Sequence, residues 1–256
     1  MSRDPMPSLT RRRLLSAAVA AAATTTLPLR AAASSPTTWI PPDWLLDDLP
    51  RQMRALGVPG IGIAVVEDGA LAWSRSIGIA DATRGTPVDD ASLWEAASLS
   101  KPVFAYAVLQ LVDRGELALD TPLVRYKRPA YLGKSPWLAR ITVRDVLRHT
   151  TGLPNWRKDP AREPLEPAVA PGTRIDYSGE AFTWLQLAVE AVTGESLDQS
   201  LHRLLFDPAG MHDSSYGWNA AMAARSVFGH RGADDAEPGL PPQGLHLELT
   251  ETVVLD

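Results

Sequence analysis

The stretch Ala96-Ala97-Ser98-Leu99-Ser100-Lys101-Pro102-Val103-Phe104 constrains this 256-residue chain more than any other. From Val103 to Val112 the sequence is apolar apart from Gln110. A helix that is apolar nearly all round is expected to be buried at the centre of a domain. Pro102 fits the first turn of that helix, where a missing N–H costs nothing. Side chains three apart share a helix face, so the Ser98 hydroxyl and the Lys101 amine are expected to point into one space. A serine needs a nearby base before it can act as a nucleophile. A lysine held in a partly dry site has its charged form disfavoured, so it can serve as that base or relay a proton. The helix N-terminus adds partial positive charge where an oxyanion would form. On spacing alone, an N-capping serine beside a solvated lysine is the stronger reading, because serine is a preferred cap. Ser98–Lys101 is the one Ser-x-x-Lys pair in the chain, and the rest of the sequence decides between the two.

Length allows one large domain or two intimate ones. The formal charge is −5, and the first 33 residues carry five arginines against one aspartate, so the remainder stands at about −9. That balance argues against nucleic acid or an anionic membrane surface as partner. There is no cysteine, which excludes disulfides and thiolate metal sites. The five histidines are scattered without metal-ligand spacing, so neither a metal nor another cofactor is expected. Residues 1–33 read as a twin-arginine export signal. Arg11-Arg12 precede an alanine-rich run, and Ala31-Ala32-Ala33 offers a small-residue cleavage site. The expected location is periplasmic or secreted, with no stable membrane anchor once the signal is removed.

Residues 34–42 form a Pro/Ser/Thr-rich linker, and 43–256 are assigned to one domain. Trp44 to Leu56 has helical spacing, with Pro50 expected to kink or interrupt it. Ile61 to Val66 is a β-branched run expected to be a strand buried on both faces. Glu67-Asp68-Gly69 signals a hairpin turn leading into a partner strand from Leu71 to Ile77. Polar turns are expected from Asp81 to Asp90. From about 115 to 215 the texture is helical. Thr142-Val143-Arg144-Asp145 is a variant capping box, and Ser196-Leu197-Asp198-Gln199 a full one. Arg157 to Pro171 reads as a surface loop. Gly179 to Val192 places Phe182, Leu185, Val189 and Val192 on one helix face, with Gly194 ending it. The fold class is therefore α+β, with helices packed against an antiparallel sheet.

The order of short motifs resembles the serine β-lactamase and penicillin-binding-protein-like hydrolases, in their class C branch with its esterase and D-amino-acid peptidase relatives. The resemblance covers about Val58 to Gly217. It rests on Val58-Pro59-Gly60, Gly78-Ile79-Ala80-Asp81, Ser98-Leu99-Ser100-Lys101-Pro102 and Leu147-Arg148-His149-Thr150-Thr151-Gly152-Leu153. It continues through Pro171-Gly172-Thr173, Tyr177-Ser178 and Asp207-Pro208-Ala209-Gly210-Met211. The resemblance implies a β-lactamase/DD-peptidase-like fold with a helical subdomain. It implies Ser98 as acylated nucleophile, Lys101 as its proton shuttle and Tyr177 as general base. His149 would brace the loop behind the site. Trp156 is a candidate substrate contact, as is position 179. There the family carries an amide-bearing residue and this chain has Gly179, so β-lactamase-grade activity is put in doubt.

The expected function is an exported serine hydrolase that forms an acyl-enzyme on amide or ester bonds, with a small molecule or peptide as substrate. A β-lactam, a D-amino-acid peptide and a carboxylic ester all remain open, as does oligomeric state. The alternative is a non-catalytic member that binds cell-wall peptide-like ligands without turnover. The family's late Lys- or His-x-Gly strand is not found where the resemblance would put it. His230-Arg231-Gly232 matches its letters but follows Tyr216 too closely. The C-terminal strands are accordingly expected to be missing and turnover to be low, with Leu245 to Leu255 supplying one strand at most.

Overall fold

The computed structural model describes residues 39–82 and 84–230, and the backbone of 254–255. The segment expected to be an export signal, residues 34–38 of the expected linker and residues 245–253 lie outside that range. Two compact units emerge. In the smaller one, of 1–40 and 65–72, the described part is a hairpin tip with residues 39–40. Asp68 and Gly69 both take positive φ, at 49° and 76°, as a two-residue turn between right-twisted strands requires. The Glu67 carboxylate accepts the Trp39 N–H at 3.0 and 3.1 Å.

The larger unit, 41–64 and 73–256, holds the core. Helix α1 runs Asp43–Leu56. It continues through Pro50 without interruption. The Asp48 carboxylate spans the proline on the outside of the helix, accepting from Arg51 at 2.6 and 2.9 Å and from Gln52 at 2.7 Å. Gly57 then stops the helix in the left-handed conformation.

Strands β1 (Gly60–Glu67), β2 (Ala70–Asp81) and β3 (Thr86–Pro87) form an antiparallel sheet in that order. β3 falls within the segment expected to be turns only. β1 is not buried on both faces: Gly62, Ala64 and Val66 are exposed while the alternate residues are covered. A β-branched run records strand propensity, not how many layers cover the strand. The start of β1 crosses the end of β2 closely, with the Ile79 N–H donating to the Pro59 carbonyl at 2.8 Å. A Cβ on Gly60 would stand 2.5 Å from the Ile79 carbonyl oxygen, and one on Gly78 would collide with that of Pro59. The two glycine motifs of the sequence are thus halves of one crossing.

Strand β4 (Trp94–Glu95) pairs antiparallel with the backbone of β5 (Val254–Leu255). Helix α2 (Ser100–Asp113) follows it. α2 is not the all-round buried helix its composition suggested. Phe104, Ala107, Val108 and Leu111 are inside, but Tyr106 and Leu109 are exposed. The more deeply buried helix is α4 (Gly179–Thr193), enclosed from Gly179 to Gln186, whose Ala181, Trp184, Leu185 and Ala188 have no exposed surface. Helices α3 (Val143–Leu147) and α5 (Leu197–Leu201) and the 3-10 turn Leu123–Arg125 pack on α4. Phe104 of α2 meets Phe182 edge-on at 6.3 Å.

Both capping boxes close as expected, at Thr142–Asp145 and Ser196–Gln199. α3 ends at Leu147, and His149 just after it takes a positive φ of 55°. Residues 115–142 are held by 3-10 turns at 123–125 and 136–140 instead of α-helix. The last described helix, α6 (Ala220–Arg225), is capped by the Asn219 side chain. The chain then runs beside Leu93 and the end of β2. There His230 Nε2 accepts the Ala82 N–H at 3.1 Å. Arg231 and Gly232 lie outside the described residues.

Candidate active site

Ser98 sits in a single 3-10 turn, Ala97–Leu99, that feeds directly into α2. Ala97 takes φ 45°, a conformation that costs a residue with a side chain roughly 1–2 kcal/mol. It is held by Ser100, whose hydroxyl donates to the Ala97 carbonyl at 2.5 Å. The Tyr216 hydroxyl in turn donates to the Ser100 carbonyl at 2.6 Å. The strained turn lifts Ser98 out of the helix proper and leaves it exposed. Strain of this kind concentrates at functional sites.

Lys101, one turn on, donates from Nζ to Ser98 Oγ at 3.3 Å. Tyr177, two residues ahead of α4, places its hydroxyl 2.8 Å from the same Oγ. Lys101 Nζ lies 5.0 Å from the centre of the Tyr177 ring and 5.8 Å from that of Phe182. Among the described residues no carboxylate pairs with Lys101, so its charge is spent on the two hydroxyls. Partial burial pushes the Tyr177 phenol up. Hydrogen bonds from Lys101 and Ser98, with the lysine's charge, outweigh burial and hold the phenol below its ordinary range.

Tyr177 is positioned from behind. The His149 ring stacks on it at 4.5 Å and also touches Phe182 at 5.1 Å. His149 Nδ1 accepts the Ser178 N–H at 3.2 Å. Burial first, and the Lys101 charge second, push the His149 imidazole down, which favours the neutral form that this acceptor role needs.

Ser178 caps α4, accepting from the Ala181 N–H at 3.0 Å and donating to the Pro154 carbonyl at 2.7 Å. Asn155 satisfies the next two amides. Its side chain takes the Gly179 N–H at 2.9 Å and its backbone carbonyl the Glu180 N–H at 3.0 Å. Gly179 is buried, its N–H is committed, and the Trp156 ring covers its α-carbon. Gly179 and Trp156 are thus brought together, one beneath the other, at the start of α4.

Arg157, expected in a surface loop, is buried. Its Nε and Nη2 grip both oxygens of the equally buried Glu180 at 2.9 and 3.1 Å. Its Nη1 donates to the carbonyls of Pro160 and Glu163 at 3.3 and 3.0 Å. The guanidinium lies 4.6 Å from the centre of the Tyr131 ring. Burial, with the nearby Glu180 charge, pushes the Tyr131 phenol up to about 12. This clamp and Asn155 are the supporting residues that sequence reasoning missed. Asn155 had no signal, and Arg157 and Glu180 stand 23 positions apart. Ser178, a capping residue just before an apolar helical run, could have been read.

A serine hydroxyl that is hydrogen-bonded to both an amine and a phenol held below its ordinary range is equipped for nucleophilic attack on a carbonyl. Comparison with known proteins bears on that chemistry. The chain is 32% identical over 205 residues to esterase EstB of Burkholderia gladioli, covering 68% of this chain and 50% of that one. It is 32% identical over 199 residues to penicillin-binding protein 4 of Amycolatopsis lactamdurans, covering 72% and 52%. The chain thus spans about half the length of these curated relatives. A solved class C beta-lactamase superposes with a TM-score of 0.66 at 24% identity, over 83% of this chain and 61% of that one. At that identity the likeness speaks for the α+β fold alone. The profile described as Beta-lactamase matches residues 46–248, which takes in the Ser98 turn, α4 and the clamp between them, and the chain belongs to the beta-lactamase family.

Proposed function

We propose that this protein is a serine hydrolase that cleaves ester or amide bonds through an acyl-enzyme on Ser98. The carrying observation is the convergence of Lys101 Nζ and the Tyr177 hydroxyl on Ser98 Oγ, at 3.3 and 2.8 Å. In the reactive form Tyr177 is the phenolate. As Ser98 Oγ bonds to the substrate carbonyl carbon, its proton passes to the Tyr177 oxygen. Lys101 stabilises the phenolate before transfer and steers the proton afterwards. Collapse of the tetrahedral intermediate breaks the bond to the leaving alkoxide or amine, which takes that proton from Tyr177. Water then attacks the acyl-enzyme, giving up its proton along the same route, and releases the carboxylic acid and free Ser98. Positive charge at the start of α2 favours the transient oxyanion.

The test is covalent. A fluorophosphonate probe adds its phosphonyl mass to the peptide containing Ser98, and Ser98→Ala is not labelled. Labelling that persists in Ser98→Ala refutes the assignment. Absence of labelling in the wild type, with retained binding of peptide-like ligands, supports a binding protein without turnover.

A further inference from the structure

We propose that Trp156, lying on Gly179, is a specificity-determining residue that selects esters with an extended apolar or aromatic group over short ones. The inference rests on the hydrolase reading above and adds what the site prefers. Gly179 is the first residue of α4 and stands two positions after Tyr177. A Cβ there would lie 2.5 Å from Trp156 Cη2 and 2.8 Å from Cε2. The indole therefore lies against the backbone of the residue two positions after Tyr177, in space that any side chain at 179 would claim.

The ring is fixed yet open. On one side of it, Asn155 binds the Gly179 and Glu180 amides. On the other, Arg157 is locked in its fork with Glu180. With both neighbours tied to α4, little ordering is left to do when a ligand arrives. Trp156 is nevertheless 45% exposed. A large exposed ring on an anchored backbone is a ready contact surface.

The residues flanking the nucleophile and the phenol are apolar too. Leu99, beside Ser98, is 64% exposed, and Ile175, two before Tyr177, is 78% exposed. The charges on either side of Ile175, Arg174 and Asp176, neutralise each other as an ion pair. An apolar acyl or alcohol group fits this rim, whereas a charged one would find no partner on Trp156, Leu99 or Ile175.

The experiment uses the full chain and p-nitrophenyl acetate, butyrate and octanoate. The readout is the ratio of kcat/KM on octanoate to that on acetate. Trp156→Ala lowers the ratio about tenfold or more, the scale of apolar pocket discrimination, and Trp156→Phe restores most of it. Gly179→Ala also lowers the ratio, because its methyl dislodges the ring. The double variant is no worse than Trp156→Ala, since both remove one surface. A loss that is equal at every chain length leaves the ratio unchanged and overturns the proposal. Titration calorimetry of octanoate into Ser98→Ala, with and without Trp156→Ala, separates the two readings. If no ester is turned over but octanoate binding needs Trp156, hydrolysis fails and the apolar surface stands. If nothing is turned over and octanoate binds equally well without the indole, or does not bind, the apolar surface falls as well.

Discussion

Tyr177→Phe and Lys101→Ala each slow acylation by about three orders of magnitude, and the double variant is little slower than either. The reason is geometric. Both groups act on one proton, that of Ser98 Oγ, at 2.8 and 3.3 Å. Removing the phenol oxygen leaves nothing to accept the proton. Removing the amine leaves a phenol without its main source of ionisation. Either loss disables the same step, so the second adds little. The pH profile separates the two roles. Acylation rises with pH as Tyr177 ionises. In the wild type that limb lies below the ordinary phenol value of about 10. Burial opposes ionisation there, but the hydrogen bonds from Lys101 and Ser98 and the lysine's charge favour it by more. Lys101→Ala removes two of those favourable contributions, so its limb moves to higher pH. Single-turnover acylation across pH measures both effects. Near-additive losses, or a limb that stays in place without Lys101, would show that the two residues act separately.

Glu180→Ala destabilises the protein by about 3–5 kcal/mol, a fall in Tm on the order of 10 °C. The substitution leaves the Arg157 guanidinium enclosed, with the Pro160 and Glu163 carbonyls as its hydrogen-bond acceptors and no carboxylate to balance its charge. Both side chains of the pair are about 5% exposed or less, so water cannot replace the lost carboxylate. Arg157→Met combined with Glu180→Leu is closer to wild type than either single change, because no unpaired charge is buried. Urea denaturation with a constant m-value reports these differences. A loss below about 1 kcal/mol for Glu180→Ala would mean the loop relaxes and lets solvent in.

Local chemistry was legible in the sequence and long-range enclosure was not. The Ser98–Lys101 pair and the two capping boxes lie within three residues of their partners, so helix geometry brings each together, although the order of motifs was needed to read Ser98 as more than a cap. Tyr177 could be joined to Ser98 only through the order of motifs, because 79 positions separate them. Apolar content named α2 as the buried helix, yet burial depends on what surrounds an element. α4 is wrapped by α3, α5 and the 123–125 turn, while α2 leaves Tyr106 and Leu109 outside. The same limit explains β1, whose β-branched run says strand but not how many faces are covered. Arg157 carried the surface signature of its charged, proline-rich neighbours. Only the carboxylate of Glu180, delivered by a different element, takes it inside.

The 79-position gap between the nucleophile and its phenol also sets the order in which the chain acquires chemistry. Serine and lysine come together as soon as the first turns of α2 wind, an event of microseconds or less. The phenol arrives only after the intervening segment has been synthesised, closed into a loop and packed against α4. Synthesis delivers the N-terminal part first. A nascent chain therefore carries a serine that is held but not yet armed. On the acyl-enzyme reading proposed above, Ser98 would gain its reactivity only once Tyr177 is in place, and an unfinished chain would be spared acylation by stray carbonyls while it folds.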